Sequence, residues 1–389
     1  MNKEQGILNS EFLNRMKWFL TIILLACCTV AINAQEADLN AVDYRVLAMP
    51  ESKSNSTDSI AAFIQSNFNN EKEKFRAIYR WVTYNIRYDK DSMYVFNWGG
   101  DQNKKVTAAL RRKKGVCENY TAVFHDIASK CGLQSYVISG YTKQSGTIDK
   151  VGHSWCAVNL NDEWLLCDPT WDDHYSSDPN YFLIAPSVFI ESHMPFDPLW
   201  QLLDHPVSAR EFNRGSFYSQ KGNKEHNFID SVNAFIQMNE LQQLEASAAR
   251  IKKAGIENEL TKTHLAYVEM NSSLIYEDRD MKQYNAAVAE LNKATAIFND
   301  FVQYRNNQFM PAKPDSEIQH LLLPVERIFV SVEKQLDELD KSVTNAQYDT
   351  KGLRFDMAAF KSKLQVQKDF LKLYMATEEA ERKKLFYSN

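Results

Sequence analysis

The run from Val151 to Cys167 constrains the fold more than any other part of the chain. Val151 to Leu160 alternates in the manner of a strand, Glu163 to Cys167 is a second strand run, and the intervening Asn161-Asp162 is a turn-forming pair. If that pair is a two-residue turn, the runs form a hairpin of defined register. Leu160 then faces Glu163, Cys156 faces Cys167, Trp155 faces Asp168 and His153 faces Thr170. Side chains alternate across a strand, so His153, Trp155 and Asp168 fall on one face and the two cysteines on the other. Diagonal neighbours on one face lie roughly 7–8 Å apart, within reach for an imidazole and a carboxylate. Cys156 and Cys167 are placed either to form a disulfide or to pack as two small buried thiols.

Upstream, Gly115 breaks the chain just before Cys117, and Glu118 to Lys130 reads as a helix with Tyr120, Val123, Phe124 and Ile127 on one side. A cysteine opening a helix sits where negative charge is favoured, and the thiolate is the reactive form of cysteine. The order Cys117, His153, Asp168 is that of a thiol nucleophile, its base and the group that orients the base. A lone cysteine or histidine is more often structural; the three together are more specific. His125 lies on the same helix, eight residues on and roughly 80° around the axis, and reads as surface or core. His193, close to Pro195, reads as a structural turn residue. No paired Cys or His spacing suggests a metal site, and none is expected.

The chain has 389 residues and a formal net charge of −5, which argues against a nucleic-acid partner. The basic run Arg111 to Lys114 reads as the solvated end of a short helix. Residues 1–34 read as a secretory signal peptide: Arg15 and Lys17, an apolar stretch from Trp18 to Ala26, then small and polar residues ending in Ala34. Residues 1–15 are candidates for an over-extended start. The alternative is a lipoprotein, anchored to a membrane through Cys27 in Leu24-Leu25-Ala26-Cys27. Either way the protein is expected to be secreted or periplasmic. Residues 35–55 read as an irregular lead-in, and Thr57-Asp58 as a helix cap. Phe75, Ile78, Tyr79, Val82 and Ile86 mark a second helix. Residues 169 to 206 read as a long packed loop with short helices. Beyond Asn223 strand signals vanish and helical periods take over, placing an all-helical domain at 216–389 after a core at 56–215.

The segment from Ser56 to Trp171 resembles the transglutaminase-like superfamily in its bacterial secreted branch. The matching motifs are Gly115-Val116-Cys117, Gly140-Tyr141, Gly152-His153-Ser154-Trp155 and Asp168-Pro169-Thr170-Trp171, with Tyr79-Arg80-Trp81 and Asn85 to Asp89 upstream. The resemblance implies an α+β, papain-like transglutaminase core, with a helix-borne Cys packed on an antiparallel sheet, followed here by an all-α domain. It implies a Cys-His-Asp triad of Cys117, His153 and Asp168 that needs no cofactor. The expected substrate is a peptide or protein amide, taken by hydrolysis or acyl transfer. Tyr88 and Trp98 precede the nucleophile as the family's oxyanion groups do. The competing expectation is a catalytically silent scaffold or binding module.

Overall fold

In the computed structural model, residues 39–94, 101–174, 179–217, 227–342 and 348–387 are described below. The described part of the lead-in is not irregular. Residues 39–47 form helix α1, because Val42 and Val46, one turn apart, both bury their side chains. Asp43 between them takes two hydrogen bonds from Arg76, at 2.8 and 2.9 Å, on helix α3 (Glu71–Asn85). Helix α2 (Thr57–Asn67) is capped by Ser56, one residue before the expected cap; its hydroxyl accepts from the Ser59 N–H at 3.2 Å. Helix α4 (Gln102–Arg112) and helix α5 (Cys117–Lys130) follow, and α5 packs against α2, α3, α4 and the sheet.

The sheet runs in the order β4 (Thr147–Ile148), β3 (Ser135–Gln144), β5 (His153–Leu160), β6 (Glu163–Cys167), all antiparallel; β7 (His193–Pro195) also pairs with β3. Asn161 and Asp162 both take positive φ, 51° and 67°, as a twist-matched two-residue hairpin turn requires. Leu160 pairs with Glu163 and Cys156 with Cys167, in the register read from the sequence. Both faces are covered. Cys156, Val158, Leu165 and Cys167 join the core built on α2, α3 and α5, while Trp155, Ala157, Trp164 and Leu166 pack with Phe189, Trp200 and Phe235.

Helix α6 (Phe228–Ile236) supplies Val232 and Phe235 to that second cluster, and α7 (Glu240–Ala254) sets Ile251 against a cluster containing Tyr141 and Phe212. These helices, grouped with the C-terminal set by their sequence pattern, thus pack with the sheet. The compact units are Met1–Val268 and Glu269–Asn389. The second contains α8 (Glu259–Asn306) from Glu269 onward, which with α9 (Leu323–Leu339) and α10 (Thr350–Ala376) builds a core around Val325, Val332 and Leu336. Among the described residues every element after β7 is helical, and no helix is long and apolar enough to cross a membrane.

Candidate active site

Cys117 is the first residue of α5 and is buried. The sharp entry is made by close approach. A Cβ on Gly115 would lie 2.5 Å from the Asn119 Cβ, so only glycine lets the chain pass there. Asn119 uses that proximity: its Oδ1 accepts from the Val116 N–H at 3.0 Å and its amide donates to the Lys105 carbonyl at 3.1 Å. The left-handed residue in this turn is Lys113 (φ 49°), before the glycine. Strand β1 (Arg87–Tyr88) pairs in parallel with β2 (Lys114–Gly115), which brings Tyr88 beside the nucleophile loop.

His153 opens β5, and its Nε2 lies 2.7 Å from Asp168 Oδ2. Cys117 lies near enough to raise the His153 pKa and lines the same cleft, so the structure brings the three sequence-predicted residues together. Asp168 follows the last residue of β6 and is completely buried. Its Oδ1 accepts from the backbone N–H of Thr170 at 2.8 Å and of Trp171 at 3.3 Å. A fourth partner was not foreseen: His193 Nε2 lies 3.1 Å from the same Oδ2. His193 is no turn residue. It opens β7, where Thr142 of β3 is its partner, and its ring sits 4.0 Å from Phe189 and 4.4 Å from Trp171 between centroids.

The electrostatics separate the two histidines. Burial works against charge on His153, but the Asp168 carboxylate outweighs it, and with Cys117 raises the pKa to about 10. Burial likewise opposes charge on Asp168, yet His153 and then His193 hold it well below the usual carboxylate range. For His193 burial wins and pushes the pKa down to about 4, against the pull of Asp168. His193 is therefore neutral at pH 7. With the Ser192 hydroxyl 2.7 Å from Nδ1, the tautomer that satisfies both contacts carries its proton on Nε2, donated to Asp168.

A cleft of about 730 Å³ opens onto these groups, lined among others by Cys117, His153, Tyr88, Asp149, Trp171 and Ser192. Burial, then the nearby Cys117 and Asp168, raise the Tyr88 phenol to about 12, so it keeps its proton and can donate. Trp98 lies outside the described residues. His153, Asp168 and His193 have donor atoms within 4.8 Å of one another, a set that could ligate a metal. Hydrogen bonding already accounts for it, since both imidazoles donate to one carboxylate oxygen. His125 contacts Ser135 through Nδ1 at 2.9 Å, away from the triad in role. No disulfide joins Cys156 and Cys167, although they are directly opposed. Burial pushes both thiols up, Cys167 to about 12, and each already has a partner: Leu183 N–H donates to Cys167 Sγ at 3.3 Å, and Cys156 Sγ lies 3.9 Å from the Thr121 carbonyl.

A family model of the transglutaminase-like superfamily matches residues 58–169. These residues are a transglutaminase-like domain. It starts with α2 and stops just after Asp168, so β7 and His193 lie beyond the matched span. The chain is 31% identical over 168 residues to kyphoscoliosis peptidase of Mus musculus, covering 38% of this chain and 24% of that protein. It is 28% identical over 176 residues to hillarin of Drosophila melanogaster, covering 37% of this chain and 20% of that one. The chain thus spans a quarter or less of these curated relatives. A solved structure of a TGase aligns at 16% identity with a TM-score of 0.25, covering 39% of this chain and 40% of that one. The transglutaminase-like domain holds the Cys, His and Asp that its sequence motifs single out. The second histidine on Asp168 comes from a segment whose only sequence signal was its crowd of prolines and aromatics.

Proposed function

We propose that the protein is a cysteine enzyme acting on amide bonds of peptides or proteins through a thioester acyl-enzyme. The observation that carries this reading is the buried His153–Asp168 bond of 2.7 Å beside a helix-opening Cys117, with Cys117 and His153 lining one cleft. In the first half-reaction, with the Cys117 proton already held on the His153 imidazolium, Sγ bonds the amide carbon. The C–N bond then breaks, and His153 delivers that proton to the leaving nitrogen. In the second, water or a primary amine attacks the thioester and gives a proton to His153, and Cys117 leaves as the thiolate, which restores the starting pair. The oxyanion meets the Cys117 backbone N–H, at the helix start where such groups lack intrahelical acceptors, and the Tyr88 hydroxyl. Asp168 keeps the imidazole oriented and favours its charged form. The name of the mouse relative favours hydrolysis; acyl transfer is the other fate of the same intermediate. Export to a secreted or periplasmic location, with removal of residues 1–34 or lipidation at Cys27, is part of this proposal, and N-terminal sequencing of the exported protein tests it.

The decisive experiment is incubation with a peptide library, with and without primary amines, read by mass spectrometry. Cleaved backbones indicate hydrolysis and amine mass gains indicate transfer, and Cys117→Ala should abolish either while the protein stays folded. If Cys117 resists a thiolate-selective alkylating agent at mildly acidic pH and the library stays unchanged, the domain is a silent scaffold.

A further inference from the structure

We infer that His193 is a positioning residue for the His153–Asp168 pair, holding the second acceptor site of Asp168 Oδ2 so that the carboxylate offers His153 one fixed lone pair. The inference rests on the cysteine-enzyme reading for its turnover measurement only. Four donors surround Asp168. The Thr170 and Trp171 amides grip Oδ1, and the two imidazoles share Oδ2 at 2.7 and 3.1 Å. A carboxylate held by two amides and one imidazole could still swing about its terminal torsion, which has a broad profile. The second imidazole closes that freedom.

His193 is itself immobilised. Ser192 Oγ, 2.7 Å from Nδ1, fixes the tautomer with its proton on Nε2. Phe189, Trp171 and Trp155 enclose the ring, with centroids 4.0, 4.4 and 5.2 Å away. The strand that carries it reaches β3 only because Gly140 lacks a side chain: a Cβ there would lie 2.2 Å from the Met194 carbonyl oxygen and 2.3 Å from the Trp155 ring. A neutral, buried, doubly bonded histidine beside a charged one has a defined electrostatic effect. By donating to Oδ2 it withdraws part of the negative charge that stabilises the His153 imidazolium. Oδ2 remains the acceptor that orients His153, but the imidazolium stays acidic enough to release its proton to a leaving amine. Among the described residues the other titratable groups facing the pair are Cys117 on α5, Tyr79 on α3, Cys156 on β5, Cys167 on β6, Asp149 beyond β4, Tyr88 on β1, and Asp172 and Tyr181 after β6; all are unchanged in the variants below.

The test compares the wild type with His193→Phe, which keeps an aromatic ring but no donor, and His193→Gln, whose side-chain amide can donate from nearly the place of Nε2. The pKa of His153 is followed by NMR of its ring, and amide turnover is measured on the same samples. In His193→Phe the His153 pKa should rise by about half a unit or more and turnover should fall about tenfold, while His193→Gln returns both toward wild type. An unchanged or lowered His153 pKa in His193→Phe, or a glutamine variant no better than phenylalanine, overturns the inference. If His193→Phe does not fold, nitrogen shifts of the wild-type ring decide: a neutral ring protonated on Nε2 at pH 7 supports the inference, and an Nδ1–H tautomer or an imidazolium refutes it. A wild type without turnover removes the enzyme reading but leaves the titration result standing.

Discussion

His153 and His193 reach the same oxygen of Asp168, yet one is charged at neutral pH and the other is not. The first imidazolium satisfies the carboxylate, and a second beside it would face both burial and a like charge. The two shifts act on folding in opposite pH ranges. An unfolded histidine titrates near 6.5. His153, raised to about 10, adds stability that is fully present below about 6.5 and is lost as pH rises toward 10. His193, lowered to about 4, is protonated in the unfolded chain before the folded one. It therefore removes stability as pH falls from about 6.5 to 4. Urea titrations at pH 4.5, 6.5 and 9 should show the highest unfolding free energy at the middle value. In His193→Phe the decline on the acid side should be smaller; an acid-side decline identical to wild type would mean that His193 is not buried neutral. Of these residues, His153 and Asp168 were legible in the sequence because alternation and a turn fix which side chains share a face. His193 was not, because a three-residue strand is too short to show a period.

At the scale of the element, β7 depends on a glycine in another strand. Gly140 has His153 opposite it on β5 and Pro195 opposite it on β7. A methyl group at that position has no space on the β7 side. Gly140→Ala should cost about 1–3 kcal/mol in urea denaturation, the usual range for overpacking, and should expose the His193 ring to solvent. A variant as stable as wild type would show that β7 can shift without loss. The sequence marks Gly140 as the end of a strand run. It cannot show that the space beside it is filled by a chain segment about fifty residues downstream. The same limit explains α6, whose helical spacing is legible while the surface it covers is set by tertiary packing; α1 reads as irregular because Val42 and Val46 are too few apolar positions to mark a period. The Cys156–Cys167 register, by contrast, follows from the hairpin turn alone, and the pairing matches it.

For the molecule as a whole, two cores invite separate measurement. All seven tryptophans lie at or before Trp200, so tryptophan fluorescence reports on the unit ending at Val268. Far-ultraviolet circular dichroism reports on helix in both units. Leu336 is completely buried in the second core. Leu336→Ala should destabilise that unit by about 2–5 kcal/mol, shifting the dichroism transition while the fluorescence midpoint stays in place. Equal shifts in both signals would show a single cooperative fold. The chain positions of the contacts around Asp168 also imply an order of assembly. The His153–Asp168 contact spans 15 residues across one tight hairpin, His193 joins from 25 residues further on, and Tyr79 reaches the Asp168 carbonyl across 89. Closing a short loop is fast and closing a long one is slow. During refolding the histidine–aspartate pair should thus meet first and the α3 tyrosine dock last. A nascent chain would hold the halves of this pair in proximity before β7, or any helix after it, had been synthesised.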